Sequence, residues 1–393
     1  MVKYLFYSFL LLPFFGIAQP QLETVWEKPY PNTAGYKEKI HDAIYLRKGL
    51  VAMVGEVQHP DKGKEGLFII VDAETGEEIT HQTFSGFGDD VLKSVVYGNY
   101  SFYAVGYTDE GSQGKRNGWL LELELDREIE SKENLKILRD TTFGTNDKDE
   151  FSKVIWTNQR TALIAGESDA QSGNIWLLNW NGRKALFDKK IGNGICKSLI
   201  GLEKGKGDKI WLCGNSRKVK SRGWDDGDIW WIQIDETGDL KDHAVIGDKN
   251  WEEKIFYADR SVYGGLMMVG ESNKRTGNSS DRWLWEIDQN RKAKPEVIYG
   301  NTDEEKFTSV LKSPQGKYWM TARVIEAGLG VPIPNTWLSV WNELAMDEPI
   351  YERKMVLRGD TEFEAVNMVR TAQNQYILIG NELTNRRKHS ETK

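Results

Sequence analysis

The chain has 393 residues, of which 39% are hydrophobic and 28% charged, and its formal net charge is -7. This composition excludes a membrane bundle and a disordered chain, and the acidic charge argues against a general nucleic-acid binder. The 15 Trp residues are a large number, because each indole ring needs a large site in which to be buried.

Residues 1–18 have the three parts of a secretory signal peptide. Lys3 gives a short positive region, an apolar stretch follows from Tyr4 to Phe15, and small residues precede Gln19. A membrane anchor is the alternative, but the apolar stretch is too short to cross about 30 Å of hydrocarbon. We therefore expect export to the periplasm or beyond the cell.

A short apolar strand that ends in a small residue recurs along the chain. We call this small residue the marker. The markers lie 51, 60, 48, 56, 52 and 58 residues apart, and they are Gly55, Gly106, Gly166, Gly214, Gly270, Ala322 and Gly380. Repeats of this length indicate an array of similar structural units.

A second strand follows each of the first six markers and begins with a polar residue, a spacer and a large apolar residue. Its sequence is WLLELE, WWIQID or WLWEID in three of the repeats. Such runs are apolar on both faces, which suits a sheet packed between two others. With one strand before the marker strand and one after the Trp-led strand, each repeat reads as four strands. Seven such repeats predict an all-β, seven-bladed β-propeller of four-stranded antiparallel blades.

Three segments match the blade pattern of a known group of proteins. They are Phe143–Asp149 before a first strand, Gly166-Glu167-Ser168 after a second, and Asp281–Asp288 through a third. The chain resembles the secreted β-propeller repeat proteins that are common in Bacteroidetes. The resemblance implies a fold and no particular activity.

The two ends of the chain bear on how the ring closes. The segment Val25–Tyr30 resembles a fourth strand that would complete the last blade. After Gly380 no Trp-led strand follows, so we expect either that the last blade has three strands or that the chain is truncated relative to similar proteins. The predicted domains are a signal peptide over 1–18, the propeller over 19–384 and a charged tail over 385–393.

Cys196 and Cys213 flank a predicted hairpin in the fourth repeat. An even pair in an exported protein is a candidate disulfide. The alternative is two unpaired, partly buried thiols.

An acid recurs 17 residues before the marker in five repeats, in the loops that lead into the innermost strands. These channel-mouth acids are Glu38, Asp89, Asp149, Glu253 and Glu305. They could form a ring that binds a cation or a sugar hydroxyl. Because they recur in most repeats, we expect each of them to cap its own turn.

The loops between second and third strands lie at the same end of the channel, which we call the channel-entry face. Loops on a rigid scaffold commonly carry binding residues. The candidates for an anionic glycan or a partner protein are Trp224, Arg217, Lys218, Arg222, Lys115, Arg116, Lys274 and Arg275. Solvated charges and ordinary loop packing are the alternatives. Most other Trp residues share a repeat position and are expected to pack between blades.

No cofactor or metal motif is present: the five His residues are scattered, and no nucleophile elbow or phosphate-binding loop occurs. We predict an exported, monomeric, non-enzymatic module that binds a protein or glycan of the cell envelope, with no nucleic acid and no cofactor. One alternative is a hydrolase or lyase acting on polysaccharide, which requires two acids that break the repeat and converge in a deep pocket with raised pKa values. The other is an envelope assembly scaffold that binds through an open edge of the last blade.

Overall fold

The computed structural model describes residues 26–28, 36–85, 88–109, 116–124, 135–145, 147–168, 174–192, 194, 196–216, 228–247, 250–275, 279–300, 304–326, 333–342, 348–355, 363–373 and 375–382. Within these residues, no helix has the length and hydrophobicity that crossing a membrane requires.

The described residues form consecutive antiparallel sheets. Within each sheet, every strand pairs with the strand that follows it in the chain. Blade 1 contains β1 (Lys37–Leu46), β2 (Leu50–His59), β3 (Gly63–Asp72) and β4 (Glu78–Phe84); blade 2 contains β5 (Asp90–Gly98), β6 (Ser101–Thr108), β7 (Asn117–Glu124) and β8 (Lys136–Phe143). Blade 3 contains β9 (Asp149–Trp156), β10 (Ala162–Ser168), β11 (Asn174–Trp180) and β12 (Ala185–Ile191); blade 4 contains β13 (Cys196–Lys204), β14 (Ile210–Ser216), β15 (Ile229–Ile234) and β16 (Leu240–Ile246). Blade 5 contains β17 (Glu253–Arg260), β18 (Leu266–Ser272), β19 (Asp281–Ile287) and β20 (Val297–Tyr299); blade 6 contains β21 (Glu304–Lys312), β22 (Lys317–Glu326), β23 (Ile333–Asn342) and β24 (Tyr351–Met355). A last sheet contains β25 (Phe363–Arg370) and β26 (Tyr376–Glu382).

The described residues therefore form a β-propeller with six four-stranded blades, and the prediction of seven blades is wrong. The markers count second strands, and the seventh marker, Gly380, belongs to the two-stranded last sheet. This sheet still occupies a place in the ring, because β25 packs between β21 of blade 6 and β1 of blade 1.

The expected closing strand at the N-terminus is not formed by the described part of that segment. Residues 26–28 belong to no strand. Trp26 instead packs against blade 1, and its Nε1 donates to the carbonyl oxygen of Ala73 at 3.1 Å. The indole is thus anchored to the β3–β4 turn. The rest of Val25–Tyr30, the signal peptide and the tail 385–393 lie outside the described residues.

Burial follows the position of a strand within its blade. The third strands β11 and β15 are buried at every residue, whereas the outermost β12 alternates between exposed and half-buried residues. This is the pattern of sheets covered on both faces and exposed only at their outer edge. Four of the five Trp residues that lead third strands are buried, as predicted: Trp119, Trp176, Trp230 and Trp283.

Each innermost strand contains a β-bulge opposite its marker residue. The bulge pushes a carbonyl group toward the marker, and a Cβ atom on Gly270 would lie 1.8 Å from the oxygen of Lys254. At the five other marker glycines, an added Cβ atom would lie between 1.8 and 2.6 Å from a backbone oxygen of the innermost strand. Glycine therefore recurs at this place because the bulge leaves no space for a side chain.

The candidate disulfide is not formed: Cys196 and Cys213 are free thiols, as the alternative has it, and both are buried. Cys196 pairs with Ser216, whereas Cys213 pairs with Gly201. Five residues of β13 separate the two positions, and at about 3.3 Å per residue they lie beyond the roughly 7 Å between Cα atoms that a disulfide allows.

Candidate functional site

Of the predicted binding residues on the channel-entry face, Trp224, Arg217, Lys218, Arg222 and Lys115 lie outside the described residues. The three that are described have partners within the protein. Arg116 pairs with Glu150 at 3.1 Å and covers the ring of Tyr107 at 4.0 Å. Lys274 pairs with Glu296, and Arg275 donates to the carbonyl oxygen of Gly300 at 2.6 Å.

The five channel-mouth acids lie at or next to the first residues of the innermost strands, and each has a local partner. Asp149 accepts two hydrogen bonds from Thr145 in the preceding turn, at 2.6 and 2.8 Å. Asp89 accepts a bond from the backbone of Lys64 at 2.9 Å. The three Glu residues make the pairs Glu38–His81 at 3.4 Å, Glu253–Ser272 at 3.5 Å and Glu305–Arg282 at 2.6 Å. These bonds hold turns and neighbouring blades in place, and the structure does not bring the five acids together.

In five of the sheets the residue that follows the bulge takes part in a different arrangement, a polar belt around the channel. Asp42 accepts bonds from Ser94 at 2.7 Å and from the side chain of Asn367 at 2.8 Å. Asn367 in turn accepts a bond from the hydroxyl of Tyr257 at 2.9 Å, and Lys153 lies over the Tyr257 ring at 5.6 Å. The belt thus joins innermost strands of five sheets.

Two acids, Glu203 of β13 and Asp259 of β17, lie one level beyond the belt, toward the end opposite the channel-entry face. In the strand register, Glu203 lies opposite Trp211 and Asp259 lies opposite Met267. Each of these partners precedes the marker of its blade by three residues. The other five sheets have an apolar residue at this register position: Ile44, Val96, Ile155, Leu311 and Val369. Glu203 and Asp259 are therefore the two acids that break the repeat.

The electrostatic neighbours of Glu203 show that its side chain faces the channel. Its charge interacts with Asp259 on the next blade, with Lys153 on the preceding one, and with Asp42 on blade 1. Only a side chain directed to the centre of the ring can be near all three. Among the described residues, Glu203 has no hydrogen-bond or ion-pair partner.

The two carboxyl groups have different environments. Burial within the ring of strands, together with the negative charge of Asp259, raises the pKa of Glu203 well above its usual range. Burial also raises the pKa of Asp259, but the backbone N–H groups of Arg260 and Lys312 donate to its carboxylate at 2.6 and 3.0 Å. These donors favour the ionised form, so Asp259 loses its proton first and Glu203 retains one.

Sequence reasoning missed this pair. Both acids stand in the middle of predicted strands, among many other carboxylates. The strand register distinguishes the two acids from the other carboxylates. When the seven innermost strands are aligned on their bulges, Glu203 and Asp259 share a register position that apolar residues occupy in the other five strands. Among the described residues, no group of three or more His, Cys, Asp or Glu side chains is placed to hold a metal ion.

No family model matches the chain, and no curated protein matches its sequence. Several solved structures resemble it in fold. Puromycin hydrolase has a TM-score of 0.51 at 10% identity, and the alignment covers 87% of this chain and 50% of the hydrolase chain. The β-propeller domain of the Trilobed protease from Pyrococcus furiosus has a TM-score of 0.42 at 13% identity, covering 89% of this chain and 98% of that domain. The α-L-arabinofuranosidase Arb93A from Fusarium graminearum has a TM-score of 0.47 at 12% identity, covering 80% and 96%. At these identities the similarity is one of fold.

Proposed function

We propose that the protein hydrolyses a glycosidic bond at the Glu203–Asp259 pair. The observation that carries the proposal is the break in the repeat: two neighbouring innermost strands place carboxyl groups where five other sheets have apolar residues. Glycoside hydrolysis needs one protonated and one ionised carboxyl group on either side of the bond. The surroundings of Glu203 and Asp259 favour that division of roles.

In the proposed reaction, Glu203 donates its proton to the glycosidic oxygen as the bond to the anomeric carbon breaks. Asp259 accepts a proton from water, and the water oxygen bonds to the anomeric carbon. The products are a free sugar and an alcohol. Glu203 ends ionised and Asp259 protonated, and proton exchange with solvent restores both groups. The ammonium of Lys153, which interacts electrostatically with Glu203, provides a polar group toward the channel for sugar hydroxyls.

This proposal replaces the non-enzymatic binding module as the leading hypothesis. The described rim residues Arg116, Lys274 and Arg275 bond to groups of the protein itself, which favours a structural role. The hydrolase alternative required two acids that break the repeat and converge in a deep pocket with raised pKa values. Glu203 and Asp259 break the repeat, interact electrostatically across two neighbouring blades and have raised pKa values, whereas the channel-mouth acids do not break the repeat.

The test is release of reducing ends from a panel of polysaccharides and aryl glycosides by the purified full chain. We expect Glu203→Gln and Asp259→Asn each to lower kcat by about 100-fold or more. Glu304→Gln is the matched control, because Glu304 is an exposed acid of β21 and should leave activity unchanged. Activity that survives both channel substitutions, or no hydrolysis across the panel, would overturn the proposal.

The pH profile is a second readout. Activity requires protonated Glu203 and ionised Asp259, so kcat should fall at both high and low pH. Since the pKa values of both groups are raised, both limbs should lie above the ordinary carboxyl range. In Asp259→Asn protein any residual activity should lack the acid limb.

Export is a separate proposal that rests on the sequence of residues 1–18. An exported enzyme would meet polysaccharides of the cell envelope or its surroundings. Fractionation of cells that express the full chain, followed by N-terminal sequencing, should show the mature protein beginning at Gln19 outside the cytoplasm. An unprocessed N-terminus in the cytoplasm would contradict export and leave the channel proposal intact.

A further inference from the structure

A cleft with a volume of about 320 Å³ lies between blades 4 and 5, on the channel-entry face. Ile246 and Gly247 at the end of β16 form one wall. Trp285 of β19 and the segment Lys294–Glu296 form the other wall, and Lys274 lies in the loop that follows β18. The volume lies within the range of small-ligand sites, about 300 to 1,000 Å³. The cleft is separate from the channel pair.

Trp285 breaks the repeat at its own position. It pairs with Met268, two residues before the marker. The residues at this register position in the other four-stranded blades are smaller and buried: Ile69, Leu121, Leu178, Ile232 and Ser339. Trp285 is only half-buried, because an indole is larger than the slot that holds Leu or Ile. One face of the ring therefore remains available in the cleft.

The indole N–H of Trp285 has no hydrogen-bond acceptor among the described residues. The neighbouring polar groups are fixed in orientation. Glu296 accepts a bond from Trp283 Nε1 at 3.0 Å and pairs with Lys274. Lys294 pairs with Glu286 at 2.7 Å and covers the ring of Tyr263 at 3.9 Å.

We infer that this cleft binds a neutral sugar unit of a glycan, with one face of the sugar on the Trp285 indole. An aromatic face beside fixed hydrogen-bonding groups suits the alternating apolar and hydroxyl surfaces of a sugar. The two lysines that line the cleft are each paired with a carboxylate, so the cleft holds no excess positive charge for an anionic sugar. The site would hold a polysaccharide on the channel-entry face whether or not the protein cleaves it.

The experiment is isothermal titration of the full chain in the Glu203→Gln background, so that hydrolysis does not interfere. The probes are neutral cello-, malto-, xylo- and mannooligosaccharides, with oligogalacturonides as the anionic comparison. We expect binding of at least one neutral series, and a loss of tenfold or more in affinity for Trp285→Leu. Leu stands at this place in blades 2 and 3, so the substitution is compatible with the fold.

Trp156→Phe is the control, because Trp156 is half-buried and stacks on Tyr103 at 5.2 Å, away from the cleft. It should bind neutral oligosaccharides as the parent protein does. Equal affinity of the Trp285→Leu and parent proteins would overturn the inference. Binding of the anionic series alone, or of no series, would overturn it as well. None of these results depends on whether the Glu203–Asp259 pair is catalytic.

Discussion

Closure of the ring is supported by the side chain of Asn381, which bonds to the backbone of blade 1. Its Oδ1 accepts a bond from the N–H of Ile40 at 2.7 Å, and its Nδ2 donates to the carbonyl of the same residue at 3.0 Å. The amide thus behaves as a neighbouring strand would. Asn215 makes the same pair of bonds with Ile255 at the junction of blades 4 and 5, at 2.9 and 3.1 Å. Both Asn residues directly follow a marker glycine.

We predict that Asn381→Ala lowers the free energy of unfolding of the last sheet by about 2 kcal/mol. Each bond contributes about 1 kcal/mol net, and each backbone group left unpaired on Ile40 adds to the loss. Asn215→Ala should cost more, about 3 kcal/mol, because Ile255 is fully buried and Asn215 also bonds to Ser198. Its effect falls on an internal junction and not on closure.

Native-state hydrogen exchange measures the two effects separately, because contacts in a repeat protein are mainly between neighbours. Asn381→Ala should speed exchange of the amides in β25, β26 and β1 and leave those of β13 and β17 unchanged. Asn215→Ala should give the reverse distribution. A change below about 0.5 kcal/mol in β25 and β26 would refute the idea that the amide closes the ring. So would an equal change in all sheets.

Three further predictions concern single residues. Gly270→Ala should lower the free energy of unfolding in urea by about 3 kcal/mol or more, because the added Cβ would lie 1.8 Å from the Lys254 oxygen. Gly207→Ala is the control, at a turn where a Cβ atom would meet open space. Its free energy of unfolding should fall by about 1 kcal/mol, from the φ of +75° alone. Burial raises the pKa of Glu56, but the bonds from His41 and Lys64 outweigh burial and lower the pKa to about 2. Glu56→Gln should therefore lower the free energy of unfolding, measured with denaturant at pH 7, by about 2 kcal/mol. This loss should shrink as the pH falls from about 4.5 toward 2. Glu203 binds its proton more tightly in the folded than in the unfolded chain, so the stability of the protein falls as pH rises above about 4.5. Glu203→Gln should therefore raise the melting temperature at pH 8 and leave it unchanged at pH 4. An equal shift of the melting temperature at both pH values would contradict the raised pKa.

The four-stranded blades could be predicted from the sequence, because the same residue types are needed at the same positions of every blade. The Trp that leads a third strand recurs where two sheets meet, and the marker glycine recurs where a bulge meets its partner strand. Both signals depend on local strand geometry, which spacing in the chain preserves. They therefore appear in the sequence as a period.

Features that depend on one junction or one register were not predictable in this way. The marker count indicates seven units, and the missing Trp-led strand after Gly380 indicates an incomplete last blade without showing that its described part has only two strands. The cysteines looked close because a hairpin was expected to place them at one end, but the register of β13 and β14 separates them. Glu203 was missed because its register position becomes visible only after the bulges are aligned.

Departures from the repeat indicate where packing alone does not explain a residue. At the register position of Glu203 and Asp259, five sheets show that an apolar side chain satisfies the fold. A half-buried carboxyl group there loses part of the burial of an apolar side chain, which is worth about 1.5 to 3 kcal/mol when it is complete, and also loses hydration. The same reasoning applies to Trp285, since Leu or Ile fills its slot in four other blades. The acids and the Trp have different chemistry, yet both give up packing that the rest of the ring retains. Because such losses bring nothing to the packing of the blades, a role in substrate or ligand binding is the explanation that we propose for both positions.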